Sequence, residues 1–217
     1  MNNKILVSAS ILSCDFSDLN SEIGKLTNAG ADWIHVDVMD GQFVEQISYG
    51  AVVQKWISKG VFIDTHLMVN NPDRQIAYFA EAGSDMITFH FESDRSAALT
   101  IEKIHKAGCR AGVAIKPATP VDFIFPYLEY ADMILIMTVE PGYGGQGFLP
   151  DMLTKVQTVK RRAEKINPNL LIQVDGGIND KTAPLAIEAG ANVLVSGSYL
   201  SNAPWPAEAV NSLKGIG

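Results

Sequence analysis

The sequence predicts a single-domain α/β protein, residues 1–217, whose parallel strands close into a (β/α)8 barrel. Two observations carry this prediction. Apolar runs of strand length alternate with segments of helical periodicity eight times along the 217 residues, which is the element count of a small barrel of this type. A glycine motif also recurs before four of the runs, at Gly30, Gly83, Gly108 and Gly190, where a helix is expected to end in a left-handed residue. A doubly wound open sheet is the alternative, because local patterns do not report closure.

The predicted strands are bounded by turn residues and helical segments. In chain order they cover residues 4–10, 32–38, 61–67, 85–91, 110–116, 132–138, 170–175 and 192–197. The clearest helical segments between them are 18–28, 72–82, 95–107 and 153–166. Barrels of this architecture carry their chemistry at the carboxyl ends of the strands, so the functional residues are expected there.

Composition and charge exclude several classes of protein. The chain is 47% hydrophobic, yet no apolar run approaches the roughly 18 residues of a membrane span. The net charge of −7, with little clustering of basic residues, makes neither nucleic acid nor a membrane an expected partner. The amino terminus lacks the pattern of an export signal and the two cysteines form no paired motif, so a cytoplasmic location is expected.

Polar side chains interrupt the apolar strands near their carboxyl ends. His35 and Asp37 are two residues apart in the second strand and therefore point to the same side. His66 lies near the end of the third strand, and Asp175 ends the seventh. Each residue alone could be a buried polar group satisfied within the protein, but four at equivalent positions favour a metal site. Two imidazoles and two carboxylates suit zinc, iron(II), manganese or cobalt.

Glycine-rich segments follow the last three strands. They cover residues 141–147 after strand six, Gly176-Gly177 after strand seven and Gly197-Ser198 after strand eight. Small residues let backbone N–H groups approach a phosphate, and the loops after strands seven and eight are the usual phosphate site of such barrels. Because the chain is acidic overall, local donors and a metal would have to hold an anionic substrate. The sequence therefore predicts a phosphate site at these loops.

With these motifs in place, the chain resembles the ribulose-phosphate 3-epimerase family from about residue 4 to residue 200. The motifs that carry the resemblance are SASILS at 8–13, HVDVMDG at 35–41, HLM at 66–68, MTVEPGYGGQ at 137–146 and VDGG at 174–177. They occur in the family's order without large gaps. The resemblance implies a ribulose-phosphate-binding barrel, an isomerase of the pentose phosphate pathway and a homo-oligomer, either a dimer or a hexamer.

The resemblance also implies a mechanism and assigns residues to it. One divalent metal per chain would be bound by His35, Asp37, His66 and Asp175. Asp37 as base and Asp175 as acid would invert C3 of D-ribulose 5-phosphate through a metal-stabilised enediolate, giving D-xylulose 5-phosphate. The implied substrate contacts are Ser10, His66, Gly142, Tyr143, Gly144, Gly145, Gly176, Gly177, Gly197 and Ser198.

Several positions depart from the family's usual pattern, none of them at the four implied ligands. They are Ala9, Gln42, Glu45, Gln46 and Lys116. Residues 42–49 form the loop after the second strand and are expected to border the substrate. A hexulose phosphate such as allulose 6-phosphate therefore stays an alternative substrate, and a non-catalytic phosphosugar-binding barrel is an alternative of another class. A decarboxylase on the same barrel is disfavoured, because Val36 and Val38 stand where it should carry a lysine between the carboxylates.

Five further residues have less definite predictions. His90 ends the fourth strand without a matching carboxylate motif, so it is expected to support or line the site rather than bind metal. His105 lies within a helical segment and is expected to be solvated. Met39, Met68 and Met137 lie near strand ends, where they either line the site or fill the core.

Overall fold

The computed structural model describes residues 4–57 and 60–215, and within these ranges eight parallel strands form a closed barrel. The strands β1 to β8 are Leu6–Ser10, Trp33–Met39, Phe62–Met68, Met86–His90, Arg110–Ile115, Met133–Met137, Leu171–Asp175 and Val193–Ser196. Each strand pairs with the next, and β8 pairs back with β1. The predicted barrel is thus confirmed, the open sheet is wrong, and every predicted strand boundary lies within two residues of the observed one. The one-domain prediction also includes residues 1–3, 58–59 and 216–217, which lie outside the described residues.

Helices surround the barrel. In the described part of the chain, α1 to α8 are Leu19–Asn28, Ala51–Gln54, Ile76–Glu81, Ala97–Lys106, Leu153–Ile166, Ala183–Ala189, Ser198–Ser201 and Pro206–Leu213. The connection after β5 is instead a 3-10 helix, Val121–Tyr127, which contains Pro126. Because proline has no N–H to donate to an α-helical hydrogen bond, a regular α-helix is disfavoured there. Across these same residues, none of the helices has the length and hydropathy needed to cross a membrane.

The four repeated glycines end helices in the predicted conformation. Their φ angles are +97° at Gly30, +92° at Gly83, +85° at Gly108 and +113° at Gly190. Residues with a Cβ are strained at such angles, whereas glycine is not. Each glycine lies two or three residues before the first residue of a strand, so the repeat marks the points where the chain leaves a helix and enters the barrel.

The main hydrophobic core lies between the barrel and its helices. All seven residues of β2 are buried, and Ile34, Val36 and Val38 of that strand belong to this core. Side chains alternate along a strand, so the residues between them point into the barrel. This alternation explains why a strand that is mostly apolar can deliver a histidine and an aspartate to the barrel interior.

A second apolar cluster fills the amino-terminal end of the barrel. Its members are Leu6, Trp33, Phe62, Met86, Met133, Leu171 and Val193. The rings of Trp33 and Phe62 stack with their centroids 4.4 Å apart. The barrel is therefore packed at this end, and the polar side chains that point inward lie towards the other end.

Candidate active site

His35, Asp37, His66 and Asp175 meet at the carboxyl end of the barrel. One nitrogen or oxygen atom from each lies within 4.8 Å of the others. His35 Nε2 and His66 Nδ1 are each 3.2 Å from Asp37 Oδ1, and Asp175 Oδ2 lies 3.6 Å from His66 Nδ1. The structure therefore brings together the four residues predicted from separate strand ends, whereas their role as ligands stays a prediction.

Strand register explains this convergence. Asp37 of β2 is paired with His66 of β3, and Asp175 of β7 is level with Met137 of β6. Since each of these strands ends at the same rim of the barrel, inward-facing residues near their carboxyl ends share one layer. The two histidines are fully buried, and the side chain of Asp175 is 17% exposed, so the cluster opens to solvent on the Asp175 side.

The cluster suits a divalent cation. His35 Nε2 is completely buried and has no hydrogen-bond partner among the described residues, although it faces Asp37 and Asp175. Leaving such a nitrogen unpaired is costly, and a cation held between the four side chains would satisfy it. Their mixture of nitrogen and oxygen donors matches zinc, iron(II), manganese and cobalt. These residues could therefore hold a metal ion.

Asp64 orients His35, and the sequence reasoning missed it. Asp64 Oδ2 accepts hydrogen bonds from His35 Nδ1 at 2.8 Å, from Ser8 Oγ at 2.9 Å and from Gln173 Nε2 at 2.6 Å. Burial raises the pKa of Asp64, but the charge of His35 and these donors outweigh it and hold the pKa below its ordinary value. Asp64 stands two residues before His66, the same spacing as in the first histidine–aspartate pair, and this was the available signal.

His90 contacts the second histidine of the cluster. Its Nε2 lies 2.9 Å from His66 Nε2, and its Nδ1 lies 3.2 Å from Glu92 Oε2. The contact with His66 agrees with the expected supporting role of His90, and Glu92 is a carboxylate partner that the sequence motifs did not indicate. Glu92 lies in the 3-10 turn Phe91–Ser93 rather than in β4, so a search along strands did not find it.

Burial lowers the pKa of His90 to about 4. Burial raises the pKa of Glu92, but the hydrogen bond from His90 and other donors outweigh it and lower the pKa to about 2.

The two aspartates of the cluster have opposite electrostatic environments. Burial raises the pKa of Asp37, but the charge of His35 and the contact with His66 outweigh it and hold the pKa well below its ordinary value. Ser10 Oγ also donates a hydrogen bond to Asp37 Oδ2 at 2.7 Å. Burial and the negative charge of Asp37 raise the pKa of Asp175 to about 6. One carboxylate is therefore held ionised, while the other becomes protonated as the pH falls towards 6.

A cavity of about 350 Å³ lies above the cluster. Of the predicted site residues it is lined by Ser10, Asp37, Gly142, Tyr143, Gly144, Gly145, Asp175, Gly176, Gly177, Gly197 and Ser198. Met39, Met68 and Met137 line it as well, which confirms their expected place near the site. His66 is fully buried and is not part of the cavity lining. Its Nδ1 faces Asp37 and Asp175, which line the cavity.

The glycines of this cavity differ in what an added side chain would meet. A Cβ on Gly176 would lie 2.3 Å from Val139 Cγ2, and one on Gly177 would lie 2.6 Å from the backbone nitrogen of Phe148. Both also have positive φ angles, of +116° and +68°. Packing alone thus demands glycine at these two positions. At Gly197 the atoms nearest to an added Cβ would be 3.5 Å away, an ordinary contact, so there is space for a Cβ there.

The loop after β2 contacts a residue that lines the cavity. The described residues that line the cavity include none from 42–49, and a direct contact of this loop with substrate stays a prediction. Glu45 instead accepts a hydrogen bond of 2.7 Å from the hydroxyl of Tyr143, which lines the cavity. Its influence on a substrate would act through Tyr143.

The fold and the cluster together define a (β/α)8 barrel with a candidate metal-dependent active site at the carboxyl ends of its strands. Solved structures with the same fold include 3-hexulose-6-phosphate synthase from Salmonella typhimurium, with a TM-score of 0.71 and 19% identity over 98% of each chain. Another is 3-keto-L-gulonate-6-phosphate decarboxylase from Vibrio cholerae, with a TM-score of 0.72 and 12% identity over 98% of this chain and 96% of the other. At these identities the likeness concerns the fold alone.

Sequence comparison identifies the family. The model of the Ribulose-phosphate 3 epimerase family matches residues 6–201. The chain is 44% identical to the ribulose-phosphate 3-epimerase of Bacillus subtilis, over 97% of this chain and 99% of that protein. It is 41% identical to the enzyme of the same name from Schizosaccharomyces pombe, over 96% and 92%. The protein belongs to the ribulose-phosphate 3-epimerase family, and the resemblance seen in its motifs is confirmed.

Proposed function

We propose that this protein is a metal-dependent epimerase that inverts C3 of D-ribulose 5-phosphate to give D-xylulose 5-phosphate. The observation that carries the proposal is the convergence of two histidines and two aspartates, within 4.8 Å of one another, at the floor of a cavity. Membership of the ribulose-phosphate 3-epimerase family supports the same activity.

Asp37 and Asp175 are the proposed acid–base pair. Inversion requires one group to remove the C3 proton and another to return a proton to the opposite face of the planar intermediate. Asp37 has a pKa well below its ordinary value and is therefore ionised, the form that can accept a proton. Asp175 has its pKa raised to about 6, mainly by burial, and so carries a proton more readily. Environments that separate the pKa values of two carboxyl groups support such a division of roles, which is exchanged in the reverse reaction.

His35, Asp37, His66 and Asp175 are the proposed ligands of one divalent cation per chain, which would be zinc, iron(II), manganese or cobalt. When bound, the cation supplies positive charge beside the negative charge that develops on substrate oxygens as the C3 proton leaves. Asp64 holds the ring of His35. The apolar surfaces of Met39, Met68 and Met137 in the cavity wall reduce the access of water to the reacting carbon.

The opposite side of the cavity is the proposed phosphate site. Its donors would be backbone N–H groups of residues 142–145, 176–177 and 197–198, all of which line the cavity. Ser10 also lines it and is proposed to contact the sugar while it donates to Asp37. Because the whole chain carries −7, these local donors and the cation must overcome long-range repulsion of the substrate.

Three further properties belong to this proposal. The protein is expected to act in the cytoplasm, to fold as one domain over residues 1–217, and to form a dimer or hexamer of identical chains. The first rests on the cysteine pattern, and the last on the family resemblance. Light scattering on the purified protein measures the oligomeric state directly.

The activity is tested by NMR of D-ribulose 5-phosphate in deuterated water with the metal-loaded protein. The expected result is D-xylulose 5-phosphate that carries deuterium at C3, since a carboxyl group that exchanges with solvent returns the proton. Allulose 6-phosphate and unphosphorylated D-ribulose form two comparison arms. Faster turnover of the hexulose phosphate would change the assigned substrate. A folded, metal-loaded protein that binds but converts neither phosphate would overturn catalysis and leave a phosphosugar-binding barrel.

A further inference from the structure

His66, like His35, has contacts at both ring nitrogens. Its Nδ1 faces Asp37 Oδ1 at 3.2 Å and Asp175 Oδ2 at 3.6 Å, while its Nε2 lies 2.9 Å from His90 Nε2. The rings of His66 and His90 are fully buried. A neutral imidazole carries one proton, and the nitrogen that binds a cation must be the other one. The position of the His66 proton therefore decides whether Nδ1 can serve as a ligand.

Glu92 determines the direction of the hydrogen bonds through His90. A carboxylate only accepts hydrogen bonds, so the 3.2 Å contact from His90 Nδ1 to Glu92 Oε2 places the proton of neutral His90 on Nδ1. His90 Nε2 then has a lone pair and accepts from His66 Nε2. The reverse order would set the lone pair of His90 Nδ1 against the Glu92 carboxylate, with two unpaired electron-rich atoms in a buried place.

Glu92 is itself held in position by neighbouring donors. Its Oε1 accepts from the backbone nitrogen of Lys116 at 2.7 Å and from the hydroxyl of Thr119. The ring of Phe43 packs against His90 with centroids 4.8 Å apart, and Lys116 Nζ lies 3.7 Å from the centre of the same Phe43 ring. These contacts restrict the rotation of both members of the pair.

The two cluster histidines are thus each oriented by a carboxylate, one directly and the other through a second histidine. His35 presents Nε2 to the cluster and donates Nδ1–H directly to Asp64. His66 presents Nδ1 and reaches its carboxylate through an interposed histidine. A carboxylate that fixes the tautomer of a metal-bound histidine raises the ligand's basicity and its affinity for the metal.

We propose that His90 and Glu92 are positioning residues, which hold His66 in the tautomer whose Nδ1 lone pair faces Asp37 and Asp175. The proposal rests on the metal site of the proposed function and adds the residues that prepare it. His90 does not touch the reacting atoms, so its effect appears in metal affinity and in the placement of protons.

The test uses the full chain loaded with Zn²⁺, which is diamagnetic, and measures the zinc dissociation constant by chelator competition. His90→Leu removes both ring nitrogens and is expected to weaken zinc binding by ~10- to 100-fold. His90→Gln offers an amide oxygen to the His66 proton and is expected to retain most of the affinity. His105→Gln is the matched control, because His105 is half-exposed and pairs with Asp132, with His105 Nε2 2.8 Å from Asp132 Oδ2. This control should bind zinc like the parent.

Nitrogen NMR of the zinc-loaded parent tests the same point without any variant. The expected spectrum has His90 protonated at Nδ1 and unprotonated at Nε2, and His66 protonated at Nε2. Protonation of His90 at Nε2, or equal zinc affinity in the parent and a folded His90→Leu, would overturn the proposal. If the parent binds zinc with the expected tautomers but does not epimerise the sugar, the proposed function alone fails. If the parent binds no zinc, both fail.

Discussion

Asp64 Oδ2 lies 2.8 Å from His35 Nδ1, and both side chains are completely buried inside the barrel. The contact orients the imidazole so that, with a cation bound, its proton would stay on Nδ1 and its Nε2 would face Asp37 and Asp175. The same Asp64 oxygen accepts from Ser8 and Gln173. Three strands besides β3 therefore contribute to the placement of one carboxylate beneath the cluster.

Asp64→Asn is expected to weaken zinc binding by ~10- to 100-fold, because an amide can point its NH2 group at His35 and favour the wrong tautomer. Chelator competition measures the change. Asp73→Asn, a half-exposed carboxylate remote from the barrel interior, is the control for a change of charge. Equal zinc affinity in a folded Asp64→Asn and the parent would show that Asp64 does not prepare His35.

The purified, metal-replete protein is expected to hold about one divalent cation per chain, bound by two histidines and two aspartates. Elemental analysis measures the content. Removal of the cation by a chelator should abolish epimerisation. Addition of zinc, manganese, cobalt or iron(II) should restore it, and the ion that restores the highest activity is the most effective one. A metal-replete sample without bound cation would refute the ligand assignment.

Asp175→Asn is expected to keep the fold and to lose at least ~10²-fold in turnover, the usual scale for removal of a positioned acid or base. Steady-state kinetics measures the loss, and circular dichroism checks the fold. Asp122→Asn changes an exposed carboxylate in the 3-10 helix after β5 and should leave turnover unchanged. Near-normal turnover of Asp175→Asn would contradict the two-carboxylate mechanism.

Gly197→Val is expected to raise the Michaelis constant for D-ribulose 5-phosphate while bound metal stays unchanged. Gly197 has φ −108° and ψ −91°, and a Cβ there would make ordinary contacts of 3.5 Å. The methyl groups of valine would extend towards the proposed phosphate, and circular dichroism checks that the fold is kept. Kinetics and metal content are measured on the same preparation. Gly24→Val, where no atom lies within 4 Å of the new Cβ, is the control. An unchanged Michaelis constant would place the phosphate elsewhere.

Asp32 is expected to contribute stability that is lost in acid. It accepts from the backbone nitrogen of Val7 at 3.0 Å and lies 2.7 Å from Lys214 Nζ. Burial raises the pKa of Asp32, but these donors outweigh it and hold the pKa below the ordinary 3.8. Because the folded pKa is the lower one, the stabilisation is complete above the ordinary pKa and disappears as the pH falls through the folded value.

Urea unfolding between about pH 6 and about pH 3 measures this effect. Asp32→Asn keeps an oxygen that can accept from Val7 but has no charge to lose. Its unfolding free energy should therefore fall less steeply with acid than that of the parent. Parallel curves for the two proteins would show that Asp32 does not contribute to the pH dependence.

The sequence predicted the barrel and the central cluster because both depend on short-range patterns. A spacing of two residues places His35 and Asp37 on one side of a strand whatever its neighbours are, and a glycine after a helix marks where the next strand begins. Eight such units place all the strand ends at one rim. These local patterns were therefore enough to predict that His66 and Asp175 lie close to His35 and Asp37.

The tertiary structure decided which groups complete the cluster and how their protons are arranged. Gln173 and Ser8 reach Asp64 from strands far apart in the chain, and Glu92 reaches His90 from a turn that no strand pattern includes. The opposite pKa shifts of Asp37 and Asp175 likewise arise from burial and from charges on other strands. Sequence alone determined which side chains point inward. Only barrel closure determined which atoms meet, because electrostatic and hydrogen-bond energies depend on distances across the barrel rather than along the chain.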